Sequence, residues 1–472
     1  MNIELTLAFL LNLIWLGLPT LAANPSDSLN QPYVVIHDIR IEGARKTQPR
    51  LILRELDFGR GDTLSGDRVK EVLLQNRNKI FNTNLFVAVD LTLEPAEAGR
   101  IDLLIRVTER WYIFPMLIFE LADRNFNEWW VDRNRDLRRT QYGVRVTHKN
   151  FRGRGEELRA TAQFGFTKRF DLGYNIRYLD RAQKSGLGFV VSYADNRSIA
   201  YRTEYNKLVY FDDESRVRDR FHAGVSFTHR PRFYGTHRVD ARFNYNKIAD
   251  TIARLNPGYF LDGRTTQRFA TLAYSYTWDR RDIAAYPLKG HLFSAEVARS
   301  GFTRGEDLHL TSAGIYYAYY KPLGRKFYAS MGLRGRVTSP GRQPYPNYRG
   351  LGYGFDYLRG YEYNVIDGQH FGLVKFGLKR QLFSKEYTIR NPLGLEQFQT
   401  VPVAMFLTSY ADAGYVYAPF SDAETNLLDN KLLYGGGLGV DVVTFYNTVF
   451  RINFSINRQG NRGFFLHFVR DI

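Results

Sequence analysis

From about residue 111 onward the chain alternates between apolar and polar positions. In the segment VDARFNY (239–245), Val239, Ala241, Phe243 and Tyr245 take one face, and Asp240, Arg242 and Asn244 take the other. In VFRINFSIN (449–457), Phe450, Ile452, Phe454 and Ile456 oppose Arg451, Asn453, Ser455 and Asn457. In FATLAYSYTW (269–278), Leu272, Tyr274, Tyr276 and Trp278 oppose Thr271, Ser275 and Thr277. A period of two places successive side chains on opposite faces of a strand. The segments run about 10–14 residues, longer than the 5–6 usual for a soluble sandwich. Arg145, Arg242, Arg334, Lys375 and Arg451 recur on the polar face, and the apolar face ends in Tyr, Trp or Phe. Lipid outside, a wet lumen inside and aromatic girdles at both interfaces give this pattern, so it predicts an all-β transmembrane barrel. Only a closed barrel or a helix satisfies its backbone inside a bilayer. Strand parity requires both chain ends on one side. Reading 186–211 as one long strand with a protruding end meets that requirement and yields about sixteen antiparallel strands over residues 111–472.

Residues 33–110 follow another pattern. YVVIHDIRIE (33–42) alternates, and Pro49 opens a short helical stretch, PRLILREL. Val69, Val72, Leu73 and Ile80 fall at near-helical spacing. FVAVDLTLEP and RIDLLIRVTER then read as two strands across the turn AEAG. The order β-α-α-β-β predicts one small α+β domain. Ahead of it, residues 5–18 are almost continuously apolar, and Leu21, Ala22 and Ala23 offer a small-residue cut. Residues 1–23 therefore read as a signal peptide cleaved after Ala22 or Ala23, with an uncleaved anchor as the alternative because Glu4 replaces the usual basic residues.

Composition narrows the function. The 472 residues carry 65 Lys and Arg against 48 Asp and Glu, a formal charge of +17, with 32 Tyr and 35 Phe. In an exported chain that charge belongs to lumen-facing strands and to loops facing lipopolysaccharide rather than to a nucleic-acid site. Cysteine is absent, which excludes disulfides, thiolate metal sites, a cysteine nucleophile and a lipidated cysteine. The nine His are scattered, no HExxH or GxSxG spacing occurs, and GLGYGF (350–355) lacks the GxGxxG spacing of a dinucleotide loop. The expectation is a non-enzyme without cofactor.

Four local matches carry a resemblance. IRIEGARKT with RLILREL is similar to the opening of a POTRA domain. KNFRGRGEEL (149–158) looks like an Asn-Phe-x-Gly-x-Gly turn between early strands. DRRDIAAYPLKG (279–290) is similar to an Asp-x-Arg-Asp…Pro-x-x-Gly periplasmic turn, and LRGY (358–361) to an Arg-Gly-aromatic loop motif. With this element order, the chain from about residue 33 resembles the BamA/TamA family of outer-membrane assembly proteins, the bacterial surface antigen family. It looks like a short member with one POTRA domain.

The resemblance implies an outer membrane of a Gram-negative-type cell, with residues 33–110 in the periplasm. It implies that the loop carrying Leu358, Arg359, Gly360 and Tyr361 folds back into the lumen. There Arg359 would pair with Asp412 of the Asp-x-Gly formed with Gly414; a mobile surface loop is the alternative. A guanidinium in a narrow lumen needs such a bidentate carboxylate. Lys375 and Lys379 stand where the family often has Glu, which leaves a second acidic contact in doubt. The resemblance also implies a lateral seam between the first strand (111–121, with Pro115) and the last (463–472, with Phe464, Leu466 and Phe468). Pro115 alternatively marks only the start of the barrel. Expected partners are unfolded outer-membrane or secreted polypeptides, outer-membrane lipid and lipopolysaccharide, and periplasmic or lipoprotein partners at the POTRA domain. Two further functions stay open: a plugged channel for small polar or anionic solutes, and a structural surface antigen.

Overall fold

The computed structural model describes residues 33–96, 100–121, 134–213, 215–354, 356–388, 399–421, 424–444 and 448–470. The 1–23 segment and Ile472 lie outside them. The N-terminal domain comprises β1 (Tyr33–Glu42), α1 (Pro49–Leu53), β2 (Thr63–Ser65), α2 (Val69–Phe81), β3 (Phe86–Pro95) and β4 (Ile101–Glu109). Its sheet order is β2-β1-β4-β3, with β1 and β4 parallel. The strand β2 is absent from the sequence reading because three residues are too short to show alternation. Ile36, Ile52, Val69, Ile80, Phe86, Leu103 and Ile105 are buried between sheet and helices.

The rest is dominated by one sixteen-stranded antiparallel sheet, as the alternation predicts. Its members begin with β5 (Ile113–Leu121), β6 (Thr140–Phe151), β7 (Glu156–Gly165), β8 (Thr167–Ile176) and β9 (Ser185–Asn196). A separate hairpin, β10 (Ser198–Glu204) with β11 (Lys207–Asp212), then projects beyond the wall. The sequence predicts one long strand over 186–211; the chain instead ends β9 at Asn196 and turns back at Tyr205 and Asn206, both at positive φ, to form this hairpin. The wall resumes with β12 (Arg218–His229) and β13 (Gly235–Ile248). A helix α3 (Asp250–Leu255) follows, which alternation did not foretell. Next come β14 (Thr266–Asp279), β15 (Gly290–Ser300), β16 (Leu310–Gly324) and β17 (Phe327–Ser339). The long loop 340–369 carries the small ladder of β18 (Arg349–Leu351) and β19 (Ile366–Asp367). The last members are β20 (His370–Thr388), β21 (Thr400–Tyr417), β22 (Leu433–Thr444), β23 (Thr448–Asn457) and β24 (Arg462–Arg470).

Register confirms the two faces. Arg242 lies opposite Gly224 and Thr271, and Arg451 opposite Asp441 and His467, so the charged rows line up across strands and face the lumen. Phe450, Ile452 and Phe454 are exposed on the outer face. No helix among the described residues is long and apolar enough to cross a membrane, a test that says nothing about strands.

Both ends of the lumen are covered. At the far end the hairpin tip bonds across the mouth: Tyr205 N–H donates to Thr425 O at 2.6 Å, and Val365 N–H to Asn206 O at 2.9 Å. At the near end the N-terminal domain packs against four turns, those of β6–β7, β8–β9, β12–β13 and β14–β15. Gln48 N–H donates to Gly153 O at 2.9 Å. Gly153 has φ +68°, and a Cβ there would lie 2.0 Å from Lys46 O, so only glycine permits this approach. Arg54 Nε donates to Gln183 O at 2.5 Å. The junction is equally tight: Tyr112 is buried, and its hydroxyl donates to Leu85 O at 3.0 Å.

Candidate functional site

The loop 340–369 returns into the lumen and lies against the last five strands. Arg359 leads the contact. Its Nε donates to Asp412 Oδ2 at 2.8 Å and its Nη2 to Asp412 Oδ1 at 2.5 Å. Its backbone N–H adds a third bond to Asp412 Oδ2 at 3.1 Å. Nη2 also reaches Phe376 O at 3.2 Å, and the guanidinium sits 4.0 Å from the centre of the Tyr410 ring. Asp412 is buried, so its charge is held by these donors rather than by bulk water. Removing one partner of such a pair leaves a buried charge uncompensated.

The flanking motif residues both pack and bond. Leu358 and Tyr361 are buried in a cluster with Leu351, Ile366, Phe371, Leu373 and Val416. Gly360 has φ +95°, and its carbonyl accepts from Asn457 Nδ2 at 2.8 Å. Gly414 clears space for Leu351 and Leu358, whose Cδ1 atoms would lie 2.8 and 3.0 Å from a Cβ there. The loop also touches the last strand: Tyr357 stacks on His467 at 5.4 Å and Tyr363 packs on Phe465 at 5.2 Å.

The two lysines stand over aromatic rings. Lys375 lies opposite Asp412 in the β20–β21 ladder, with its Nζ 4.2 Å from the centre of the Tyr357 ring. Lys379 Nζ lies 3.9 Å from the centre of the Tyr286 ring. Aromatic faces therefore hold both cations. Within the loop tip, Glu362 Oε2 accepts from Gly360 N–H at 2.7 Å.

A second insertion enters from the near end and was not read as a site. The turn 280–289 sends Tyr286 into the lumen, where its buried hydroxyl donates to Asp441 Oδ2 at 2.8 Å. Asp441 also accepts from Arg451 Nε at 2.8 Å, and Tyr286 packs on Phe406 and Val449. The N-terminal domain grips the same turn. Asn82 Nδ2 donates to Asp282 O at 2.9 Å, and Ala284 N–H donates to Asn82 Oδ1 at 3.2 Å. The signal available was a tyrosine inside the quoted DRRDIAAYPLKG turn. Beside it, buried Glu55 accepts from Arg230 Nη1 and Nη2 at 2.8 and 3.0 Å. Burial works against the charge on Arg230, but Glu55 outweighs it and raises the pKa. Burial likewise pushes the Tyr112 phenol up, so the junction carries a neutral donor.

The seam residues sit on the outermost strands. β5 and β24 are the two ends of the sixteen-strand order, and no ladder joins them among the described residues. Leu117 and Phe119 on β5 are 84% and 77% exposed, and Phe464 and Leu466 on β24 are 73% and 79% exposed. Mid-wall outward residues such as Val225, at 46%, are covered from both sides. Pro115 pairs with Val146 within the edge strand β5, where a residue without N–H is tolerated. Phe468 lies opposite Phe450 in the ladder; its side chain lies outside the described residues.

Comparison with known proteins adds three findings. The Omp85 superfamily domain matches residues 150–464, and the POTRA repeat, described as the surface antigen variable number repeat, matches 34–110. Among solved structures, BamA from Haemophilus ducreyi lacking POTRA domains 1–3 aligns with 14% identity and a TM-score of 0.51, covering 92% of this chain and 84% of that one. CdiB from Escherichia coli aligns with 12% identity and a TM-score of 0.54, covering 92% and 75%. At these identities the likeness concerns the fold. Comparison with curated proteins finds no match.

Proposed function

Because this chain belongs to the Omp85 superfamily, as a BamA/TamA-like member with one POTRA domain, we propose that it inserts or translocates unfolded polypeptides at the outer membrane of a Gram-negative-type cell. The POTRA domain stands in the periplasm and the barrel in the membrane. The observation that carries this reading is the pair of edge strands, β5 and β24, which no ladder joins among the described residues, beside a loop bonded to the neighbouring wall. An unpaired edge is a template for strand addition. The outward Phe464 and Leu466 of β24, with Phe468 further along that strand, and the Pro-interrupted β5 form a weak lateral seam. Clients enter from the POTRA side, where β3 offers a free sheet edge for the same kind of pairing. The Arg359–Asp412 pair acts as the latch of the in-folded Leu358–Tyr361 motif, holding β20 to β23 rigid against the loop while the seam works. Lipid and lipopolysaccharide surround the barrel, and periplasmic or lipoprotein partners dock on the exposed POTRA surface. No step calls for an active site or a cofactor.

A second reading, a plugged channel for small polar or anionic solutes, is favoured by the basic lumen. A cavity of about 640 Å3 there is lined by Arg145, Arg159, Arg169, Arg238 and Arg242, against the carboxylates of Glu157, Asp171 and Asp240. Single-channel conductance in planar bilayers, wild type beside Arg359→Ala, separates the two. Small flickering openings that become large and steady in the variant support a latched loop and the insertion reading. Large steady openings in both remove the latch and put the channel first.

A further inference from the structure

Beneath the roof of the far mouth, five arginines converge from three sides. Arg218 and Arg220 stand on the inward face of β12, opposite Ile248 and Asn246. Arg334 and Arg336 stand on the inward face of β17, opposite Leu373 and Phe371. Arg349, carried by β18 of the in-folded loop, lies between the two walls, within charge–charge reach of Arg218, Arg220 and Arg336. Tyr259, buried above them, is within reach of Arg218, Arg220 and Arg349.

The carboxylates at this place do not balance the cations. Asp356 is bound by Arg334 and reaches Arg336 electrostatically. Asp367 lies opposite Arg349 in the β18–β19 ladder and accepts from the Tyr353 hydroxyl. Among the described residues, five guanidinium groups thus face these two carboxylates. Elsewhere on the wall several arginines have a carboxylate close by: Arg169 with Asp171, Arg238 with Asp240, Arg451 with Asp441. Here Arg218 Nε and the Nε and Nη2 of Arg336 are buried with no hydrogen-bond partner among the described residues. Arg336 rests on the Phe371 ring at 5.3 Å, and Arg220 reaches Asn196 Oδ1 at 3.5 Å. Arg220 and Arg349 remain exposed to the chamber. Buried donors without acceptors and clustered like charges are both costly, and an anion relieves both.

We propose that this chamber binds a compact, multiply charged phosphate-type anion, a role separate from polypeptide insertion. Guanidinium forks match phosphoryl oxygens bidentately. Their approach from two walls and a central loop strand suits a small anion with oxygens on all sides rather than an extended acidic chain. The phosphoryl group comes either from a free anion entering the mouth or from a phosphorylated lipid at its rim.

The test uses the purified full chain. Inorganic pyrophosphate is titrated calorimetrically at fixed ionic strength in detergent, and binding is repeated in nanodiscs of phosphatidylcholine with and without lipopolysaccharide. Saturable pyrophosphate binding, weakened at least tenfold by Arg218→Gln/Arg336→Gln and by the single loop variant Arg349→Gln, is expected. Arg145→Gln/Arg242→Gln, at the other lumen cavity, leaves it unchanged. Loss of pyrophosphate binding in lipopolysaccharide nanodiscs assigns the site to lipid phosphate, and unchanged binding assigns it to the free anion. Binding that is absent, or equally affected by both double variants, overturns the proposal. Retained heat-modifiable mobility on gels shows that each variant is folded, and Arg349→Gln stands in should the double variant not be.

Discussion

A Cβ placed on Gly435 of β22 would lie 2.4 Å from the carbonyl oxygen of Arg359. The loop backbone lies flat on the wall at this residue, with no room for a methyl group. Gly435→Ala is therefore expected to lift the loop tip, while Gly372→Ala, where nothing lies within 4 Å, leaves it in place. Limited proteolysis of the barrel in liposomes checks this. Cleavage within 350–364 should rise in Gly435→Ala alone, and equal protection in both variants would refute the close approach.

Arg359→Ala leaves the buried Asp412 without its guanidinium. The expected loss is about 3–5 kcal/mol of stability, the usual cost of breaking a buried pair from one side. Arg359→Ala/Asp412→Asn removes the stranded charge and should recover part of it. The unfolding temperature, read as loss of heat-modifiable mobility, should rank wild type above the double variant and the double variant above Arg359→Ala. Additive losses would show that the two side chains are not coupled.

Tyr286→Phe removes one hydrogen bond to a charged acceptor, with an expected loss of about 1.5–3 kcal/mol. Asn82→Ala loosens the same turn from the domain side, through its bonds to Asp282 and Ala284. Hydrogen exchange of residues 280–289 should accelerate in each variant. Faster exchange in Tyr286→Phe but not in Asn82→Ala would mean that the POTRA domain does not hold the turn.

Glu306 tests the far-side loop. The backbone N–H of Ala270, then those of Phe302 and Thr303, hold its carboxyl down at about 2, against an ordinary 4.5. The depressed value adds stability fully present above the unfolded value and lost as pH falls through about 2. The Phe302 and Thr303 amides should therefore stay protected at pH 3.5 in the wild type and lose protection in Glu306→Gln at every pH. Wild-type protection that already collapses near pH 4.5 would contradict the depressed value.

The wall was legible because a strand with lipid on one side and water on the other must alternate, residue by residue, as 239–245 and 449–457 do. Short or non-alternating pieces were not legible. β2 has three residues, and α3 has six, with only Ile252 and Ala253 buried. The candidate site was legible only through its motifs. Arg359 and Asp412 could be named by resemblance, but Glu362, Tyr357, Tyr286 and Asn82 could not. Tyr286 meets Asp441 across 155 positions and Asn82 meets Asp282 across 200. No local pattern marks a partner so distant; it follows from the curling of the sheet, which brings the eighth turn of the wall against its fourteenth strand.

The even number of strands has a consequence for what the proposed seam would accommodate. β5 leads away from the POTRA domain and β24 leads back toward it, so the two edges run in opposite directions. A single strand added between them would be antiparallel to one edge and parallel to the other. Two strands joined as a hairpin meet both edges antiparallel, the arrangement every other pair in the wall already has. Read as arithmetic, the gap counts in twos: a polypeptide that enters it keeps the wall's direction rule only by arriving folded back on itself.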